Sequence, residues 1–401
     1  MAAMKKFLVL FFTLILFISC QQTKQFFFHR TDDVPHKQMH YFHYWDAYEN
    51  FAGRAALRLA RSDNEHQLAK AMYFVNLGDY VTAARIYTSV YVQCDDDSIK
   101  YSGYNFINSL YSNNFMWDKL DSLNDACGLD SKDQRSLSFL SFDKNFSIEY
   151  SLADTLGIRM HGGLPVITLE VENQEIKMLL STGSKSYINK EIVDDIENIE
   201  IADVSNSDWT ACQLLELNIA SHELNNIPFR VTKNLGDVTY DGIIGWDILS
   251  KFNFTIDFVN ETLAIGKPQP GKNENRNLSW FEYPLVQAYL EDGTPLVFGI
   301  NTGARSTSLN SQYFETEREV ALKEYQKQRE NPEQYATTGQ TRSRMKRGSF
   351  YLDEYLITCN EFDFENRPFL EMVTHGIIGT DIFFDKKIHF DAENGRFEIE
   401  Q

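Results

Sequence analysis

The chain is poor in cysteine, in basic residues and in long apolar runs, and each shortage removes a class of protein. Five cysteines occur in 401 residues, with no C-x-x-C pair and no histidine at ligand spacing beside them, so no metal site is legible and no metal is expected. Cys94, Cys127, Cys212 and Cys359 are scattered too widely to dictate a disulfide framework, and buried free thiols account for them equally well. Lysine and arginine total 38 against 57 acidic residues, a formal net charge of -19. Binding a phosphate backbone requires a basic face that releases counterions, so nucleic acid is not an expected partner. No motif for a cofactor is present, and none is expected. The apolar run Phe7 to Ile18 is shorter than the roughly 20 residues of a membrane-spanning helix.

What is present suffices for several folded cores. The hydrophobic fraction is 43%, the aromatic fraction 14% and the charged fraction 24%, which argues against wholesale disorder. The length suggests two or three domains at about 100 to 200 residues each. Lys5 and Lys6 followed by the apolar run have the pattern of a secretion signal. The run ends in Phe17-Ile18-Ser19-Cys20, then Gln21-Gln22, which resembles the cleavage box of bacterial lipoproteins. That resemblance implies a signal peptide over 1–20, lipidation at Cys20, and a mature protein anchored by lipid in the bacterial cell envelope, its face open. An uncleaved anchor or a plain secretory peptide is the alternative.

Residues 21–40 carry no periodicity and are expected to form a tether. Over 41–135 apolar residues recur at helical spacing, as in Ala69, Met72, Tyr73 and then Ala83, Ala84, Tyr87, Val90. Leu77-Gly78-Asp79-Tyr80 resembles the turn of a tetratricopeptide repeat, and Asn113-Asn114-Phe115 looks like the same turn 35 residues on, near the repeat length of about 34. A helical repeat module and a non-repetitive bundle both stay open. Beyond Lys144 the pattern becomes alternating, as in Val166-Ile167-Thr168-Leu169-Glu170-Val171, and strands are expected.

One arrangement then occurs twice. A hydrophobic strand delivers the chain to Ser181-Thr182-Gly183-Ser184, and Gly242-Ile243-Ile244-Gly245 follows; later Ile300 leads into Asn301-Thr302-Gly303-Ala304, and Gly376-Ile377-Ile378-Gly379 follows. The turns are 120 residues apart, 181 to 301, and the Gly-Ile-Ile-Gly segments 134, 242 to 376. Lobes are expected over 145–266 and 280–401, joined by a linker at 267–279 stiffened by Pro268 and Pro270, with a charged insertion at 315–335 in the second. Both copies resemble the retropepsin-like and pepsin-like aspartic proteases, whose lobes each contribute an Asp-Thr-Gly turn. The fold class is therefore α+β and multidomain: amino-terminal helical hairpins followed by an all-β bilobal aspartic-protease fold.

By that resemblance Gly183 and Gly303 permit the tight turns, Thr182 and Thr302 interlock them, and Gly245 and Gly379 belong to strands that pack beside them. Asp247 and Asp381 are expected to cap short helices. The catalytic positions precede each threonine, and here they hold Ser181 and Asn301. Aspartic proteolysis requires two carboxylates sharing one proton, one acting as base towards water and the other as acid. A serine hydroxyl and an asparagine amide supply neither. A nucleophilic Ser181 would need an adjacent histidine base. His375, just before Gly376, is either close to the turns or an ordinary loop-end histidine. Candidate flaps fall near Trp209 in the first lobe and over 338–351 in the second. The latter holds Arg342, Arg344, Lys346 and Arg347, a cluster suited either to an acidic ligand or to a solvated hairpin tip.

Three functional readings follow. The leading one is a catalytically inactive, aspartic-protease-like lipoprotein that binds peptide or protein in the interlobe cleft. The second is an active aspartic-type peptidase with atypical groups or a carboxylate supplied by a partner. The third is a structural envelope protein whose cleft is filled by its own side chains.

Overall fold

A computed structural model describes residues 26–30, 42–49, 52–95, 97–127, 139, 142, 145–172, 174–203, 210–233, 235, 240–269, 276–280, 282–290, 293–310, 342–345, 348–359, 362–365 and 374–400. The signal peptide with Cys20, the flap residue Trp209, the insertion at 315–335, and Lys346 with Arg347 lie outside the described residues.

The first strand, β1 (Phe26–Arg30), falls within the segment expected to be a tether. It pairs antiparallel with Tyr355–Cys359 at the edge of the second lobe, Phe28 opposite Ile357. Three successive phenylalanines favour an extended chain, and the pairing covers a sheet edge that would otherwise expose its backbone groups.

Among the described residues six helices follow: α1 (Tyr44–Glu49), α2 (Gly53–Leu59), α3 (Asp63–Asn76), α4 (Tyr80–Gln93), α5 (Asp97–Asn113) and α6 (Trp117–Cys127). Ser62 and Glu65 form a reciprocal capping box at the start of α3. Asp79 caps α4 by accepting from the Thr82 N–H at 3.0 Å. Gly78, at φ 77°, reverses the chain between α3 and α4, and Phe115, at φ 55°, does so between α5 and α6. Both turns marked in the sequence thus lie between helices. Leu68, Met72 and Val75 of α3 and Ala83, Tyr87 and Val90 of α4 are buried, the i, i+3, i+4 spacing of one apolar face. No helix among the described residues is long and apolar enough to cross a membrane.

Strands dominate thereafter. The first lobe contains β2 (Ser147–Glu149), β3 (Asp154–Gly157), β4 (Arg159–His161), β5 (Leu164–Val171), β6 (Gln174–Ser181), β7 (Tyr187–Asn189), β8 (Ile199–Asp203), β9 (Thr210–Ile219), β10 (His222–Thr232), β11 (Gly242–Gly245), β12 (Asn253–Asp257) and β13 (Thr262–Gly266), with short helices α7 (Lys190–Val193) and α8 (Trp246–Leu249). The second contains β14 (Leu278–Trp280), β15 (Pro284–Leu290), β16 (Pro295–Ile300), β17 (Ser308–Asn310), β18 (Arg342–Met345), β19 (Gly348–Leu352), β20 (Tyr355–Cys359), β21 (Phe362–Glu365), β22 (Gly376–Ile378), β23 (Lys387–Asp391) and β24 (Arg396–Glu400). A 3-10 turn at Thr380–Ile382 takes the place of α8.

The two lobes repeat one topology. The first sheet contains the path β5-β6-β11-β7-β10-β9, the second β15-β16-β22-β17-β21-β18. In each, the strand that feeds the Thr-Gly turn runs parallel to the Gly-Ile-Ile segment, with Ser181 opposite Gly245 and Ile300 opposite Ile378. The end of the expected linker is itself structured: β14 pairs with β15, and Asn277 exchanges two hydrogen bonds with the backbone of Phe397 at 2.7 and 2.8 Å.

A third sheet, β24-β23-β12-β13-β3, joins the lobes. Its centre is the antiparallel pair β12 and β23, where Thr255 lies opposite His389 and their side chains hydrogen-bond at 2.9 Å. Phe254 from one lobe stacks on Phe390 from the other with ring centroids 4.8 Å apart, and both are buried against Trp246. Burial of each such ring is worth about 1.5–3 kcal/mol, so the seam between lobes is a hydrophobic core in its own right.

Candidate functional site

Strands β6 and β16, each parallel to the Gly-Ile-Ile segment of its own lobe, carry Leu180 and Ile300 to the lobe boundary, and the next residues bond across it. Thr182 Oγ1 donates to the Ile300 carbonyl at 2.7 Å and accepts from the Thr302 N–H at 3.1 Å. Thr302 Oγ1 donates to the Leu180 carbonyl at 2.7 Å and accepts from the Thr182 N–H at 3.0 Å. Both threonines are buried. Each hydroxyl therefore satisfies one donor and one acceptor of the opposite lobe.

The glycines are required by proximity. A Cβ on Gly183 would stand 2.3 Å from Asn301 Cγ, and one on Gly303 would stand 2.3 Å from Ser181 Oγ. Gly245 and Gly379 pass equally close to the backbone of Lys185 and of Ser306, at 2.3 and 2.6 Å. The sequence thus places glycine wherever the turns touch their partners.

Asp247 Oδ1 accepts from the Ile248 N–H in the first turn of α8 at 3.1 Å, as expected of a cap, but the main partners of Asp247 and Asp381 lie elsewhere in the lobe. Asp247 Oδ1 accepts from Ser186 Oγ at 2.6 Å and Oδ2 from the Ser186 N–H at 3.2 Å, while Ser186 Oγ accepts from the Gly245 N–H at 2.9 Å. Thr307 stands in the place of Ser186 in the second lobe, donating N–H and hydroxyl to Asp381 at 2.8 and 2.7 Å and accepting from the Gly379 N–H at 3.1 Å. These carboxylates brace the loop beyond each turn, where a buried chain reversal has more backbone donors than its own carbonyls satisfy. Ser186 and Thr307 escaped the sequence analysis: Ser186 lies five residues after Ser181 but Thr307 six after Asn301, so the two hydroxyls do not fall in register along the chain.

Ser181 and Asn301 occupy the space between the interlocked turns. Ser181 Oγ donates to Asn301 Oδ1 at 3.3 Å, and the same oxygen accepts from the Gly303 N–H at 2.8 Å. The bond from Gly303 fixes the amide with its oxygen towards that N–H. Neither group binds or releases a proton near neutral pH, so the pair has no shared proton to pass to a substrate.

No described histidine serves Ser181. His375 accepts from the Val297 N–H at 3.0 Å through Nδ1, and its backbone N–H donates to the Val297 carbonyl at 2.8 Å. Val297 lies four residues before Asn301 on β16, about 13 Å along a strand. Burial pulls His375 down to about 4, partly offset by the Val297 hydrogen bond. His222 is buried between the Ser151 N–H and the Ile265 carbonyl, and His389 bonds Thr255. These are framework histidines.

Arg342 and Arg344 lie within β18, where the register sets them opposite Glu365 and Asp363 of β21. The backbone there is a sheet ladder rather than a hairpin tip. In the first lobe β8 and β9 form an antiparallel pair ending at Asp203 and Thr210.

One contact was not anticipated. Lys185, next but one to Gly183, reaches the end of α5, donating to Ser112 Oγ at 3.1 Å and to Asn113 Oδ1. Lys251 donates to the Asn113 carbonyl and to Asn114 Oδ1 at 2.8 and 2.9 Å. Two cations thus meet the negative end of a 17-residue helix. Among the described residues no cluster of three or more histidine, cysteine or acidic side chains is placed to hold a metal, and Cys94 and Cys212 are buried free thiols.

No family model matches the chain, and no curated protein matches it. Among solved structures it is similar to the aspartic proteinase from Irpex lacteus at 10% identity, over 62% of this chain and 97% of that one, with a TM-score of 0.43. It is similar to a retropepsin-like aspartic protease from Rickettsia conorii at 23% identity, over 31% of this chain and 96% of that one, with a TM-score of 0.23. Basic 7S globulin from soybean is similar at 10% identity, over 62% of this chain and 95% of that one, with a TM-score of 0.38.

Proposed function

We propose that this chain is an aspartic-protease-like protein without protease chemistry, which holds an extended peptide or protein segment between its two lobes. The observation that supports the reading is a contrast within six residues. Thr182, Gly183, Thr302 and Gly303 keep every contact that shapes and locks the paired turns, while Ser181 and Asn301 form a neutral hydrogen bond where two carboxylates would share a proton. Each positioned proton transfer contributes roughly 10²–10⁴ in rate, and both are missing.

A cleft between β lobes still offers backbone groups for strand-type pairing, with pockets for alternate side chains giving selectivity. Lipidation at Cys20 would tether this binder in the cell envelope, which suits capture of extracytoplasmic segments rather than their destruction. The test is capture without turnover. A peptide library bearing a photoreactive group is incubated with the protein, irradiated and mapped by mass spectrometry. Crosslinks near 181–184 and 301–304 with intact peptides support the proposal; crosslinks spread evenly over the surface, or cleaved peptides, refute it.

A further inference from the structure

A second cleft, of about 670 Å³, opens between the helical module and the underside of the lobes, away from the paired turns. One wall is α4 with its preceding turn, including Val81, Ala84 and Arg85; the other includes Tyr150, Ser250, Lys251 and Glu393. The volume lies within the range of about 300–1,000 Å³ that holds small ligands.

Its charge is mixed with a positive excess. Arg85, Lys119 and Lys251 line it against Asp79 and Glu393, and Asp79 already caps α4. Arg276 adds a further cation behind the rim, wedged against Gly78 and Gly395, its Nε and Nη2 without a hydrogen-bond partner among the described residues. On a protein of net charge -19 this is a local reversal of sign. Ser250 Oγ, beside Lys251 in the chain, is likewise buried without a partner. Two bonds to Asn113 and Asn114 leave the Lys251 ammonium a third proton to donate.

We propose that this cleft is a binding site for the carboxylate end of a short peptide. Lys251 and Ser250 receive the carboxylate, Arg85 and Lys119 hold the field around it, and Val81, Ala84 and Leu110 pack its side chains. The Tyr111 hydroxyl and the second amide proton of Asn114, whose first bonds the Leu110 carbonyl, offer hydrogen bonds to peptide carbonyls, which a plain acyl chain does not use. Burial pulls Lys251 down to about 8, with Asp247 opposing and Lys185 reinforcing the shift; a bound carboxylate restores the solvation that burial removed.

The experiment is isothermal titration of the protein with a pool of N-acetylated tetrapeptides carrying free carboxylates, beside the same pool amidated. The free acids should bind about tenfold more tightly than the amides, the loss expected for one charge-assisted hydrogen bond. Lys251→Met should abolish that preference. Because Lys251 also anchors α5, the exposed Arg85→Glu is the control: it should weaken the free acids about tenfold while leaving thermal unfolding unchanged. Equal binding of acids and amides, binding untouched by Arg85→Glu, or binding of laurate but of no peptide would each overturn the proposal.

Discussion

Thr182 and Thr302 satisfy four backbone groups across the lobe boundary, whereas, among the described residues, Ser181 bonds only the Asn301 side chain across it, and Asn301 Oδ1 takes its shorter bond from Gly303 of its own turn. Substitution should separate the two roles. Thr182→Val leaves the Ile300 carbonyl and the Thr302 N–H buried and unpaired, so it should lower stability by about 2–4 kcal/mol in denaturant unfolding. Ser181→Ala leaves no backbone group unpaired and should cost less than about 1 kcal/mol. Equal losses would show that Ser181 is as structural as the threonines.

His375 supplies a pH signature at the same scale. Its folded pKa is about 4, below the ordinary value near 6.5, so between those pH values the unfolded chain binds a proton that the folded chain refuses. Stability from this group is complete above about pH 6.5 and declines as pH falls towards 4, at no more than about 1.4 kcal/mol per pH unit. His375→Asn, which keeps an acceptor for the Val297 N–H, should flatten that part of the acid limb in melts taken from pH 7 to 4. The threonines and glycines were legible because their pairing repeats along the chain. The capping role read for Asp247 and Asp381 was incomplete: Asp247 does bond the Ile248 N–H of its own turn, but the partners that both carboxylates brace, Ser186 and Thr307, lie 61 and 74 residues upstream.

Among elements, the docking of the helical module depends on small contacts at turns. Gly78 and Gly395 both hold positive φ and both lie against the Arg276 guanidinium. An alanine at Gly78 would strain the backbone and displace that arginine, so Gly78→Ala should cost about 1–3 kcal/mol and speed hydrogen exchange in α3 and α4 before the lobes. Unchanged exchange in these helices would exclude the wedge. The strand β1 predicts a second effect. Removing residues 26–30 uncovers the β20 edge, and the shortened protein should form dimers or larger species in light scattering at concentrations where the intact protein does not. The helices were legible from apolar spacing and the strands from alternation. Pairing of a polar and aromatic tether segment with a strand more than 300 residues later was not, because nothing local specifies a long-range partner.

At the scale of the whole molecule, two lobes of one topology share a central sheet, and the end of α5 bonds the first lobe through Lys185, just after its turn, and Lys251, just after α8. The two turns, bonded to each other, lie where the lobes meet. The repeat along the chain foretold the lobes, while the contact with α5, made by lone lysines on a helix end, had no sequence signature. The most direct measurement is turnover: an unbiased peptide mixture assayed from pH 3 to 8 with the native chain, with Ser181→Ala, and with the Ser181→Asp, Asn301→Asp double substitution. The account predicts no cleavage by the native chain or by Ser181→Ala at any pH, and acid-side activity, if any, in the double substitution alone. Cleavage by the native chain that disappears in Ser181→Ala would contradict it.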